Sequence, residues 1–107
     1  MAGKRGYKLV DAVMGANIGS LVVDERNRAR GFIPSGKREG LLYGLDRRVY
    51  GGILDGVIYD SDGNKVEEKN PARYLLARIP EEFAVPLKKL PKERAKILVI
   101  GEHRSLL

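Results

Sequence analysis

The stretch NIGSLVVDERNRARGFI, residues 17–33, decides the fold class of this chain. Two segments that contain apolar residues, NIGSLVV and RARGFI, flank the polar tetrapeptide DERN. Asp and Asn are typical of tight turns, because their short side chains hydrogen-bond to the neighbouring backbone. The stretch therefore predicts an antiparallel hairpin of two strands.

Further strands are predicted on both sides of this hairpin. YKLVDAVM, residues 7–14, mixes apolar and polar residues as a strand does, and Gly15 ends it. Residues 41–59 are apolar but are interrupted by four glycines, which favours strands with bends over a helix. The turn DSDGN follows, and KVEE, residues 65–68, is predicted to return as a strand.

The C-terminal third is less regular. Residues 70–79 predict a short helix, with Asn70 as N-cap and Pro71 at the first helical position, although a strand is the alternative. Because of its three prolines, the segment 80–91 is predicted to be irregular. After it, PKERAK is predicted to form a single helical turn and ILVI a buried strand. The whole pattern predicts a mostly β fold, a small barrel-like or sandwich domain of about five to seven short antiparallel strands.

Composition limits the class of protein. A chain of 107 residues predicts a single domain over 1–107, and the absence of cysteine excludes disulfides and thiolate metal sites. The chain contains no Gln, Thr or Trp and is 32% charged, which is typical of proteins from thermophiles. No apolar run reaches the length of a membrane span and no signal peptide is recognisable, so we expect a cytoplasmic protein without a membrane partner.

Positive charge is concentrated in the first half of the chain. The net charge is +6, and residues 1–50 hold ten Lys and Arg against five acids, whereas residues 51–107 hold ten against nine. Such a concentration attracts polyanions, of which nucleic acid is the commonest in a cytoplasm. A solvated, ion-paired surface is the alternative interpretation.

The spacing of the arginines suggests where a nucleic acid would bind. Arg26, Arg28 and Arg30 are two residues apart, and Phe32 continues the series. Alternate side chains of a strand leave the same face, so these four predict one strip about 20 Å long at ~3.3 Å per residue. Guanidinium groups bind phosphates and an aromatic ring stacks on an unpaired base.

The leading hypothesis is therefore a small protein that binds RNA or single-stranded DNA without a cofactor. The expected phosphate ligands are Arg26, Arg28, Arg30, Lys37, Arg38, Arg47 and Arg48, and the expected stacking rings are Phe32 and Tyr50. Against it, Asp24 and Glu25 could pair with the arginines and Phe32 could belong to the core. The alternative hypothesis is a protein-interaction or assembly module that forms homo-oligomers, in which the arginines pair with acids of a neighbouring subunit.

Catalytic motifs are incomplete. GFIPSGKR, residues 31–38, lacks the hydroxyl of a phosphate-binding loop, because Arg38 stands in its place. DSDGN begins like a calcium loop, but Pro71 stands where the bidentate glutamate is required. Asp55 or Asp60 with Glu67 and Lys69 resembles the acid and E-x-K pattern of magnesium-dependent restriction-like nucleases, which implies a metal-dependent nuclease as a weak alternative. An enzyme is thus the third hypothesis.

Overall fold

The computed structural model describes residues 6–14, 17–34, 39–90 and 97–105. Its strands are β1 (Tyr7–Met14), β2 (Asn17–Val23), β3 (Arg28–Pro34), β4 (Glu39–Gly44), β5 (Val49–Leu54), β6 (Val57–Asp60), β7 (Val85–Pro86) and β8 (Ile97–Ser105). One α-helix, α1 (Pro71–Arg78), and two 3-10 turns, Glu81–Phe83 and Leu87–Lys89, complete the described elements.

The strands form one antiparallel sheet, which confirms the mostly β prediction. Their order is β6-β5-β4-β3-β2-β1-β8, and the two-residue β7 pairs with the start of β3. The predicted hairpin of residues 17–33 is β2 and β3. Among the described pairings none joins β6 to β8, so closure into a barrel is not observed.

Three turns of the sheet share one geometry. In each, the first residue's N–H donates to the carbonyl of the fifth, from Asp24 to Arg28, from Gly44 to Arg48 and from Asp60 to Asn64. The fourth residue has a positive φ in all three, and these residues are Asn27, Arg47 and Gly63. Asn and Gly adopt the left-handed conformation readily, whereas an arginine is unusual there.

The predicted helix is confirmed. The Asn70 side chain accepts hydrogen bonds from the N–H groups of Ala72 and Arg73, and Pro71 occupies the first turn, where no N–H is needed. The helix lies against the sheet, and the Tyr74 hydroxyl donates to the Tyr50 carbonyl. Burial raises the pKa of the Tyr74 hydroxyl, and Asp60 adds to this rise.

One other expectation for the C-terminal half needs correction. KVEE does not form a named strand, because it pairs through a single bridge between Tyr59 and Lys65. The described part of the segment 80–91 has no continuous regular structure, as its prolines predict, since it contains only β7 and the two 3-10 turns. PKERAK lies outside the described residues, and the segment ILVI is part of β8, which pairs with β1.

Two hydrophobic cores lie on opposite sides of the sheet. The core on the helix side consists of Tyr7, Val22, Leu42, Ile58, Ala72, Tyr74, Leu75 and Ile79. The core on the other side consists of Val10, Ala12, Leu21, Val23, Ala29, Phe32 and Leu90. Gly31 allows the helix to approach β3, because a Cβ at this position would lie 2.9 Å from Cδ1 of Ile79. No helix in the described part of the chain has the length and apolar character to cross a membrane.

Candidate interaction surfaces

A β-bulge at Arg30 interrupts the alternation from which a single arginine strip was predicted. Gly31 and Ala29 pair with consecutive residues of β2, so Arg30 between them is the extra residue. Beyond the bulge the side chains exchange faces: Arg30 contacts α1 on one side of the sheet, and Phe32 lies in the core on the other. The prediction that Phe32 lines the same face as Arg28 and Arg30 is therefore wrong.

Arg30 joins the sheet to the C-terminal end of α1. Its side chain is 4% exposed, and Nη2 donates to the carbonyl oxygens of Ile79 at 2.7 Å and Leu76 at 3.5 Å. The carbonyls at a helix C-terminus lack partners within the helix and carry partial negative charge, so a guanidinium stabilises them. Nε has no hydrogen-bond partner among the described residues. Arg30 thus has a structural function that its sequence position does not reveal.

The Asp24 carboxylate accepts hydrogen bonds from three arginines at or near the β2–β3 turn. One carboxylate oxygen accepts from the N–H groups of Arg26 at 2.9 Å and Arg28 at 3.0 Å. The other accepts from Arg28 Nε at 3.0 Å and Arg30 Nη1 at 3.3 Å. Burial raises the pKa of the Asp24 carboxyl, but these hydrogen bonds outweigh it, chiefly those from Arg28, and hold the pKa below its ordinary value.

Arg28 is also largely neutralised. Besides Asp24, its Nη2 contacts Glu81 Oε1 at 3.4 Å, and the hydrogen bond to Asp24 together with both carboxylates raises the pKa of Arg28. Ion pairing with acids of the chain, stated above as an alternative, is therefore observed for Arg28 at the surface and for Arg30 in a buried position.

The remaining predicted ligands that the structure describes lie on two turns at the same end of the sheet. Arg26 is exposed on the β2–β3 turn, and Arg47 and Arg48 are exposed on the β4–β5 turn. The Arg48 side chain is 75% exposed and lies 3.9 Å from Asp46. Phe32 is fully buried, and Lys37 and Arg38 lie outside the described residues. Nucleic-acid binding by these residues stays a prediction.

Tyr50, the second predicted stacking ring, is partly buried against the core on the helix side. Its hydroxyl donates to Asp46 Oδ2 at 2.7 Å. Burial raises the pKa of the Tyr50 hydroxyl, and the bonded carboxylate of Asp46 raises it further. The hydroxyl of Tyr50 is therefore bonded within the chain, and stacking of its ring on a base stays a prediction.

Among the acidic residues of the predicted calcium and nuclease sites, Asp60 serves in a turn. The Asp60 carboxylate accepts hydrogen bonds from the N–H groups of Asp62 and Asn64, each at 2.9 Å. Across the described ranges there is no group of three or more His, Asp or Glu side chains that could hold a metal ion. The calcium and nuclease hypotheses thus acquire no supporting geometry from these ranges.

A cleft of about 500 Å³ lies between the start of α1 and strands β1 to β3. It is lined by apolar side chains and by residues 68–73. The first-turn N–H groups that could bind an anion already donate to Asn70, whose own amide donates to the Tyr7 hydroxyl at 2.8 Å. The cleft therefore presents no unused backbone donors at the helix start.

Strands β4 to β6 present an apolar face that the sequence-based predictions missed. Residues directly opposite each other in a ladder share a face, and the registers of β4, β5 and β6 place seven uncharged residues together, with Glu39 at the end of the same face. We call this set the outer face: Leu41, Tyr43, Val49, Gly52, Leu54, Val57 and Tyr59. Three of its large side chains are about half exposed, namely Leu41 at 48%, Val49 at 43% and Leu54 at 53%.

The outer face lies on the side of the sheet opposite α1. Over β1 to β3 that side is covered, because Val85, Leu87 and Leu90 pack into its core. Over β4 to β6 the exposure of Leu41 and Leu54 shows that the described residues leave it open.

One signal in the sequence could have revealed the outer face. The pairs Leu41–Leu42, Ile53–Leu54 and Val57–Ile58 are consecutive apolar residues within strands. A strand with one solvated face alternates apolar and polar residues, whereas a strand covered on both faces is apolar at consecutive positions.

The chain was compared with protein-family models, curated proteins and solved structures, and no significant match was found. Functional proposals therefore rest on the geometry of this chain alone.

Proposed function

We propose that the protein is an assembly module that forms homo-oligomers through the outer face. The observation that supports this proposal is the group of half-exposed Leu41, Val49 and Leu54 on one side of a three-stranded sheet. Single exposed apolar residues are normal, but contiguous ones on a regular surface are typical of interaction sites. Their position on adjacent, hydrogen-bonded strands makes the surface preformed and flat.

The size of the face indicates a weak association. Three strands ~4.8 Å apart and about 20 Å long give a flat footprint of roughly 300 Å² on each copy. A stable interface of standard size buries about 800 Å² on each partner. The outer face alone therefore predicts a reversible oligomer rather than a permanent one.

The energy of burial leads to the same conclusion. Complete burial of a Leu or Val side chain contributes about 1.5–3 kcal/mol, so the exposed half contributes about 1 kcal/mol. Three such side chains on each of two copies give about 6 kcal/mol. Association costs about 4–15 kcal/mol, so these three side chains alone leave at most about 2 kcal/mol. With the smaller contributions of the other outer-face residues, we expect a dissociation constant in the millimolar range.

A second copy of the chain is the occupant that the charges favour. The outer face has an acid at one end, Glu39 beside Leu54, and a base at the other, Arg47 on the β4–β5 turn. When two copies of such a surface face each other with their strands antiparallel, the acid of each copy lies opposite the base of the other.

Sedimentation velocity across a concentration series tests the proposal. The average mass of the wild type should rise with concentration, and Leu54→Asp should remain monomeric because it places a charge in the buried face. Ile18→Asp is the matched control, since Ile18 is 59% exposed but lies on β2, away from the outer face. A wild type that stays monomeric at millimolar concentration, or equal effects of the two variants, would refute the proposal.

A second proposal retains nucleic acid as a partner. Arg26, Arg47 and Arg48 are exposed, and of these only Arg48 has a distant side-chain ion-pair contact, to Asp46, among the described residues. Three such cations support weak, salt-sensitive binding at most, because each phosphate contact contributes about one unit to the salt dependence.

A further inference from the structure

We infer that two copies pack outer face to outer face in opposite strand directions, so that Arg47 of each copy pairs with Glu39 of the other. This inference rests on the proposed function and adds to it the orientation of the partner and the residues that select it. The two-fold axis would lie between the two faces and run across the strands.

Glu39 is placed at one end of the outer face. It pairs with Leu54 in the β4–β5 ladder and is two residues from Leu41, so its side chain leaves the same face as both. It is exposed and forms no ion pair with another described residue. The carboxylate is therefore available to a partner at the rim of the apolar surface.

Arg47 is placed at the opposite end, at the tip of the β4–β5 turn. Its φ is +70°, in the position that Asn27 and Gly63 occupy in the two equivalent turns. An arginine at this position carries a conformational cost that Asn or Gly avoids, which suggests that the side chain serves a purpose outside the turn. Arg47 is exposed and forms no ion pair within the described chain.

The separation of these two groups determines the arrangement. They are about 20 Å apart, the length of β4 at ~3.3 Å per residue. Rotation about an axis across the strands lays β4 over β4 of the partner copy and exchanges the two ends. Each arginine then lies over the partner's glutamate, whereas parallel packing would place arginine over arginine and glutamate over glutamate.

Gly52 lies near the middle of the outer face, close to where this axis would pass. A Cβ at Gly52 would meet only the Gly40 oxygen at 3.2 Å and Leu41 Cδ2 at 3.7 Å, with no other atom within 4 Å. The glycine therefore leaves a depression beside Leu41 that can receive an apolar side chain of the partner copy. A two-fold contact of this kind uses the same surface on both copies, so it closes at the dimer.

Charge reversal with complementation tests this orientation. Arg47→Glu and Glu39→Arg are each measured alone, as an equimolar mixture and combined in one chain, by sedimentation equilibrium. Each variant alone brings like charges together at both ends of the dimer. We expect its dissociation constant to rise about tenfold, as two rim ion pairs become repulsive.

The mixture and the double variant restore the pairs. In the mixture, a heterodimer of the two single variants has opposite charges at both ends, so association should return to within about threefold of the wild type. The double variant should behave in the same way. Arg47→Asn serves as the control for the turn, because Asn fits the left-handed conformation and removes the charge without reversing it; its dissociation constant should rise less than that of Arg47→Glu.

The outcomes separate this inference from the proposed function. If the wild type associates and Leu54→Asp does not, but charge reversal changes nothing, the orientation is wrong and the assembly module stands. A mixture that associates no better than the single variants overturns the orientation as well. If the wild type does not associate at any concentration, the proposed function fails and the inference fails with it.

Discussion

Replacement of Asp24 by Asn tests the most connected polar group in the described chain. Asn retains an oxygen for the N–H groups of Arg26 and Arg28, so the turn itself can persist. It places an amide nitrogen, a donor, where the second oxygen accepts from Arg28 Nε and Arg30 Nη1. The variant therefore leaves the buried Arg30 guanidinium without its counter-charge.

The expected loss of stability is large. The Arg30 side chain is 4% exposed and that of Asp24 is 10%, so water cannot replace the lost partner. Removal of one member of a buried ion pair costs about 3–5 kcal/mol, and the bonds from Arg30 to the helix carbonyls favour the lower value, about 3 kcal/mol. For a domain of this size, 3 kcal/mol corresponds to a decrease in Tm of roughly 15 °C.

Urea unfolding, followed by circular dichroism, measures this loss. Asp46→Asn is the matched control, because Asp46 also accepts a backbone N–H in a turn but its cation, Arg48, is 75% exposed. The Tyr50 hydroxyl, which donates to Asp46 Oδ2, can accept from the Asn amide instead. The control should lose about 1 kcal/mol or less, as exposed ion pairs do. Equal losses for Asp24→Asn and Asp46→Asn would refute the argument that burial of the Arg30 pair stabilises the fold.

The pH dependence provides a second measurement of the same group. The pKa of Asp24 is lower in the folded chain than its ordinary value of 3.8. Its contribution to stability is therefore fully present above about pH 4, and it is lost as the pH falls through the lowered pKa. The stability difference between wild type and Asp24→Asn should be constant from pH 7 to pH 5 and should shrink below pH 4. A difference that grows on acidification would contradict the assigned direction.

Two further predictions concern the exposed arginines. Arg47→Gly should raise the free energy of unfolding by about 0.5–1 kcal/mol, because glycine removes the cost of a positive φ. The same change should weaken self-association. Thermal unfolding and sedimentation measure the two effects, and a decrease in stability would contradict the turn assignment. In fluorescence-anisotropy titrations with a labelled single strand, the described chain offers only three exposed arginines of the predicted set, so the slope of log K against log salt should be no steeper than about −2 to −3. A much steeper slope would show that further cations, such as Lys37 and Arg38, contribute.

Local chemistry was sufficient to predict much of the fold. Asp24 and Asn27 were recognised as turn residues, and the structure places the first as an acceptor for two backbone N–H groups and the second at a positive φ. Asn70 and Pro71 begin the helix as predicted. These features depend on hydrogen bonds and steric preferences within a few residues, so a single sequence contains the information for them.

The positions of the arginines and of the outer face could not be predicted in the same way. Arg28, Arg30 and Phe32 were assigned to one face because strands alternate, and the bulge at Arg30 breaks that alternation. A bulge forms when the pairing of two strands shifts, and its position depends on the partner strand and on the helix packed above it. The outer face was missed for a related reason, since the apolar character of residues 41–59 predicted strands but did not indicate which side of the sheet would stay uncovered.

The sequence by itself determined the antiparallel strands, their turns and the start of the helix, because each of these depends on contacts between near neighbours in the chain. Only the tertiary structure decided which charges are neutralised and which apolar residues stay exposed. Arg30 is paired because Asp24 and the end of α1 meet at the bulge. Leu54 is exposed because the core formed with residues 85–90 reaches β4 at Tyr43 but does not include Leu54. Both results depend on segments far apart in the chain, whose relative positions no local pattern specifies.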